Sequence, residues 1–199
     1  MDRSKNNTIT FPRASVDRFA HRAATSTLLQ MVDERRASGQ RALYFAYGAN
    51  TNLGAMRTRC PDARPIGTYV LAGWELVFRG VADAVPVPGR NLIGALWSIT
   101  PRCEAALDRF EGYPNLYVKG YLPLDLRKLT KHPKLPRSID TLPRGSQVML
   151  YKMAASYSVH PPSTGYLQTL IGGYDTFQMP RAQLKSALQV ALAREACNE

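Results

Sequence analysis

The chain has 199 residues, 45% of them hydrophobic, and a formal net charge of +11. That length fits one domain of about 150 residues plus an extension, with enough apolar side chains for a core, and no run approaches the ~20 apolar residues of a membrane-spanning helix. Three cysteines (Cys60, Cys103, Cys197) and three histidines (His21, His132, His160) are widely scattered, which argues against a disulfide framework, a thiolate zinc site or any other metal centre.

Residues 1–41 read as an extension to a domain at 42–199. Met1 to Pro12 is polar and lacks an apolar h-region, so no secretory signal is expected and a cytoplasmic setting is the default. Ser15 to Arg36 places Val16, Phe19, Ala20, Ala23, Leu28 and Met31 at helical spacing, a narrow apolar stripe suited to packing on the domain or on a partner subunit as a homodimer. Ser38-Gly39-Gln40 ends that helix.

Ala42 to Tyr47 is the first core strand, and Leu53 to Arg59 a short helical turn over its end. Two strands follow, Ile66 to Leu71 and Trp74 to Arg79, joined at Ala72-Gly73. Val81 to Arg90 contains Pro86, Pro88 and Gly89 and reads as a loop. Asn91 to Ile99 is a strand in which Gly94 admits a close neighbour. Thr100-Pro101 opens a helix as N-cap and first helical residue, and Gly112 marks its end. Tyr117 to Asp125 is a strand, Arg127 to Arg144 a basic exposed insertion, and Gln147 to Ala154 the last strand. A helix from Pro161-Pro162 is expected to stop at Gly172-Gly173, and Arg181 to Glu195 forms a final helix. The fold class is α+β, a small curved or barrel-like mixed sheet with helices around it.

Two stretches carry chemistry. Tyr44-Phe45-Ala46-Tyr47 runs into Gly48-Ala49-Asn50, where Gly and Asn tolerate a sharp turn and the backbone N–H groups can make an anion nest. An ordinary strand exit fits the same residues. Glu111 follows Leu107-Asp108-Arg109-Phe110 at a helix C-terminus. The helix dipole there and apolar walls from Phe110, Tyr113 and Tyr117 would raise a carboxyl pKa toward a general acid/base. Asp108 is an alternative carboxylate, and a solvated helix-end acid is the plainer reading of Glu111.

The order Tyr-Gly-Ala-Asn, then Leu-Asp-x-x-Glu-Gly with Tyr113 and Tyr117 nearby, then Pro161-Pro162-Ser163 followed by Tyr166 resembles the γ-glutamylcyclotransferase family, from about Ala42 to Tyr174. The resemblance implies conversion of a γ-glutamyl amine, peptide or conjugate to 5-oxoproline. In it, Glu111 is the catalytic acid/base, and Tyr44, Phe45, Ala46, Tyr47, Gly48, Ala49, Asn50, Tyr117 and Tyr166 form the substrate-binding set. That chemistry requires no metal, cofactor or covalent nucleophile. The family usually has Ser where this chain has Ala49, so a hydroxyl is missing while its backbone N–H remains. The positive charge suits an anionic small-molecule substrate. It does not form one basic stripe with interleaved aromatics, so nucleic acid is disfavoured as a partner. Cyclisation or lactonisation of another glutamate-derived metabolite, opine-like, and a non-catalytic small-anion or partner-binding module are the alternatives.

Overall fold

The apolar run Ala42–Ala46 is buried along its whole length and forms the inner strand β1. A computed structural model describes residues 30–31, 33–35, 37–131 and 146–197. The expected N-terminal helix lies largely outside the described residues, although 30–31, 33–35 and 37 are helical, and so does the basic stretch at 132–144. Two compact units are present, Met1–Ser38 and Gly39–Glu199.

The second unit holds a six-stranded sheet. Its strands are β1, β2 (Arg64–Phe78), β3 (Ala82–Ile99), β4 (Tyr117–Pro123), β5 (Leu129–Lys131) and β6 (Gln147–Met153). Their order is β4-β6-β1-β3-β2-β5, a curved sheet that does not close. β1 pairs parallel with β6 and antiparallel with β3, with Ala42 opposite Ile99 and Ala46 opposite Ala95. Helices α1 (Leu53–Arg59), α2 (Pro101–Phe110), α3 (Thr164–Thr176) and α4 (Ala182–Ala196) pack around it. Thr100 caps α2 with Pro101 at its first position, as the sequence predicts.

Four local expectations give way, the first being that the insertion expected from Arg127 opens instead with the short strand β5, paired to β2 through Thr68 and Thr130. The two strands expected on either side of Ala72-Gly73 are one, because Gly73 takes φ +79° at a bulge and the strand bends there without ending. The expected loop from Val81 to Arg90 is mostly strand. Its half of β3 pairs with β2, whereas β1 joins only from Ala95 onward; Pro86 lies opposite Trp74 and Pro88 falls in the register shift opposite Gly73, where the ladder is already interrupted. The helix α3 runs through Gly172-Gly173 to Thr176. These glycines serve close packing: a Cβ on Gly173 would lie 2.6 Å from the Thr51 carbonyl carbon and 2.8 Å from the Asn52 nitrogen.

That contact holds the turn after β1 against α3. Gly173→Ala would push backbone against backbone, and it is expected to lower unfolding stability by about 1–3 kcal/mol. A reduced urea midpoint at unchanged slope is the readout.

Candidate active site

β1 carries Tyr44, Tyr47 follows just beyond the strand's end, and the chain then tightens into a 3-10 turn, Ala49–Thr51. The Thr51 N–H donates to the Gly48 carbonyl at 3.0 Å and the Asn52 N–H to that of Ala49 at 3.1 Å. The Ala49 N–H reaches the Tyr166 hydroxyl. These three amides are engaged, so the anion nest is narrower than the sequence suggests.

Across from this turn, α2 ends. Glu111 is its C-cap, with its N–H donating to the Leu107 carbonyl at 2.8 Å, and Gly112 follows at φ +61°. The Asn50 side-chain amide donates to Glu111 Oε1 at 2.7 Å and to the Tyr44 hydroxyl at 2.9 Å. The Asn50 amide oxygen accepts from the Arg59 guanidinium, which lies 3.3 Å above the centre of the Phe110 ring. Arg59 and Glu111 make no direct ion pair, because Asn50 stands between them. Burial pushes the Glu111 carboxyl up to about 7 against the pull of Arg59 and the Asn50 bond. The cause of the rise is desolvation of the carboxyl.

Tyr166, on α3, accepts N–H bonds from Ala82 at 3.1 Å and from Ala49. Its own proton has no acceptor among the described residues and is available to a ligand. Burial pushes this hydroxyl up to about 12, so it stays a donor. Tyr117 donates to the Ala82 carbonyl at 2.7 Å, and Tyr47 to the Tyr151 carbonyl at 2.6 Å. Tyr151 in turn donates to Asp108 at 2.6 Å.

One cavity of about 140 Å³ unites most of the predicted set: Tyr44, Tyr47, Gly48, Ala49, Asn50, Glu111, Tyr117 and Tyr166 all line it. Phe45 and Ala46 do not. Strand alternation turns Phe45 to the other face, where its ring meets Tyr69 at 6.0 Å, and Ala46 sits in the ladder opposite Ala95. Asp108 is not in the lining either, being held by Lys119 and Tyr151. Sequence reasoning missed Val81, Ala82, Leu116 and Tyr151 in the wall, and Arg59 behind it. Tyr151 arrives through the parallel β1–β6 pairing, which no local pattern announces. Arg59 had one available signal, its place at the end of a helix leading directly out of the turn. Among the described residues no group of three or more His, Cys, Asp or Glu side chains is gathered as metal ligands would be.

Removing the Tyr166 hydroxyl would orphan two backbone N–H groups and take away one donor facing the cavity. Tyr166→Phe is expected to cost about 1–3 kcal/mol of stability and roughly a hundredfold in turnover. A variant with lowered stability but unchanged turnover would restrict Tyr166 to a structural part.

The site can therefore hold a small ligand against a carboxyl poised near neutrality, beside phenol donors. Residues 44–164 match the family described as gamma-glutamyl cyclotransferase, AIG2-like. No curated protein matches the chain. Among solved structures, one described as a gamma-glutamyl cyclotransferase is 21% identical with TM-score 0.59, covering 73% of this chain and 86% of its own. The protein loc79017 from Homo sapiens is 22% identical with TM-score 0.57, covering 73% and 85%. YkqA from Bacillus subtilis is 17% identical with TM-score 0.57, covering 79% of this chain and 55% of its own. At these identities the structures share a fold. No helix among the described residues is long and apolar enough to cross a membrane.

Proposed function

Because the chain belongs to the γ-glutamylcyclotransferase, AIG2-like family, we propose that it cyclises the glutamyl part of a γ-glutamyl amine, peptide or conjugate to 5-oxoproline, with Glu111 as general acid/base. The observation that carries this reading is Glu111 itself: a carboxyl held near pH 7 on the wall of a small cavity, oriented by a 2.7 Å bond from Asn50.

The reaction is an intramolecular aminolysis. The cavity holds the glutamyl chain folded, so that its α-amine meets its own γ-carbonyl, a proximity effect. Ionised Glu111 takes a proton from the α-ammonium. The freed amine attacks the γ-carbonyl carbon and the new C–N bond closes a five-membered ring. Negative charge grows on the carbonyl oxygen, where the Tyr166 hydroxyl supplies a donor. Glu111 then returns its proton to the leaving nitrogen as the old C–N bond breaks. The ring nitrogen loses its surplus proton, so the products are 5-oxoproline and a free ammonium. A base that later serves as acid works best with a pKa near the working pH, as burial provides here. Ala49 does not weaken the reading, since its contribution to Tyr166 is a backbone N–H that a Ser→Ala difference leaves in place.

The test is direct. The protein is incubated with γ-glutamyl amines, γ-glutamyl dipeptides and glutathione, and 5-oxoproline and the released amine are quantified. Equal release of both from at least one substrate is expected. Ligand binding without release from any of them would contradict the reading and favour a binding module.

A further inference from the structure

The γ-carbonyl of a bound glutamyl group has to lie beside Glu111. The cavity there measures about 140 Å³, well below the ~300–1,000 Å³ of sites that enclose a drug-sized ligand. Whatever is attached to that carbonyl must therefore emerge through the mouth.

The mouth is apolar. Phe110 and Leu116 both line the cavity, yet they are 48% and 41% exposed. Tyr113, in the same α2–β4 connection, is 39% exposed. The half-buried Val81 continues the lining from the β2–β3 turn. Single exposed hydrophobics are ordinary on a protein surface, but several gathered at a cavity rim mark a ligand contact. Two cations already sit against these rings: Arg59 stacks on the Phe110 ring at 3.3 Å from behind the cavity wall, and the Lys119 ammonium lies 4.7 Å over the Tyr113 ring. A further cation would find a face of each ring already taken by a cation, whereas an aliphatic or aromatic group would extend the Phe110–Leu116 surface.

Resting on the cyclotransferase reading above, we propose that Phe110, Tyr113 and Leu116 form a leaving-group subsite selecting γ-glutamyl amides whose amine carries an apolar or aromatic body and no positive charge. The binding energy of that body is realised while the γ-carbonyl is held at Glu111, so preference appears in kcat/KM. Leu116 has a further geometric reason to keep its place: a Cβ on Gly112 would lie only 3.2 Å from the Leu116 Cβ, so the loop that follows Glu111 folds back onto its own helix end.

The experiment compares kcat/KM for the γ-glutamyl amides of phenethylamine, ethanolamine and cadaverine, the last ending in an ammonium. The phenethylamide is expected to lead by about tenfold or more, the range a few methylenes command in an apolar site, and the cadaverine amide to be poorest. In Leu116→Ser and Phe110→Ser, whose side chains are half in water and whose folding is checked by thermal melting, the lead should fall to within about threefold through a raised KM for the phenethylamide. Equal rates for the three amides, or a lead for cadaverine, would overturn the subsite. Absence of 5-oxoproline from all three, and from γ-glutamyl dipeptides and glutathione run beside them, would instead end the cyclotransferase reading. Calorimetric binding of the same amides to Glu111→Gln then decides the subsite separately: tighter binding of the phenethylamide supports it, and indifference among the three overturns it.

Discussion

Glu111→Gln is expected to lower 5-oxoproline release by about a thousandfold or more, within the range assigned to a positioned acid/base, while the protein stays folded and binds its substrate. The amide keeps the shape of the carboxyl and can still meet the Asn50 side chain, but it cannot take a proton from an ammonium. The loss should fall on kcat, because the group acts in proton transfer and the rest of the cavity wall is untouched. The same substitution carries a stability signature of opposite sense. Glu111 titrates from its ordinary 4.5 up to about 7 in the folded protein, so between those values the folded state binds more protons than the unfolded one. Native stability contributed by this group is full below about pH 4.5 and is lost as pH rises through about 7. Glu111→Gln should therefore melt above wild type at pH 8, and the difference should vanish toward pH 4. Sites that hold a desolvated catalytic group commonly show this exchange of stability for activity. Equal melting at pH 8 would mean that the carboxyl is not held against its charge.

The second large effect lies behind the cavity wall. Lys119 is nearly buried, and its ammonium meets Glu104 at 2.7 Å and Asp108 at 2.6 Å. Glu104 is fully buried in α2, and Asp108 also receives the Tyr151 hydroxyl. Lys119→Met would leave both carboxylates without that ammonium, the Glu104 one fully buried. Deleting one partner of a buried ion pair costs about 3–5 kcal/mol. Chemical denaturation should show a loss of that size. A loss below about 1 kcal/mol, as at an exposed pair, would mean that water reaches the cluster. Because Tyr151 lines the cavity from the far side of this cluster, turnover should fall along with stability.

Much of the fold can be read locally. β1 is written in an unbroken apolar run, α1 in Leu53 to Arg59, and α2 in its Thr100-Pro101 start and its glycine stop, and each of these lies where periodicity and capping put it. Three of the differences share one cause, which is that Gly and Pro here do more than punctuate. At Gly73 the glycine bends a strand, at Gly173 it lets α3 touch a turn, and Pro86 and Pro88 lie within one long strand, beside the register shift opposite Gly73. Each of those outcomes depends on a neighbour distant in sequence. The cavity follows the same division. The Tyr47 to Asn50 turn, Glu111, Tyr117 and Tyr166 are legible because each stands in its own motif. Tyr151 and Arg59 become part of the arrangement only through strand pairing and through Asn50, which a linear pattern does not encode. Phe45 and Ala46 lie in the motif yet outside the cavity, one turned away by strand alternation and the other held in the ladder opposite Ala95.

The most direct measurement is the pH dependence of kcat/KM for 5-oxoproline formation between pH 5 and 8. If the ionised Glu111 carboxyl is the base, the value should climb about tenfold per unit at the acid end and level off above about 7. A profile that is flat across this range, or that falls as pH rises, would contradict the assignment of the chemistry to Glu111.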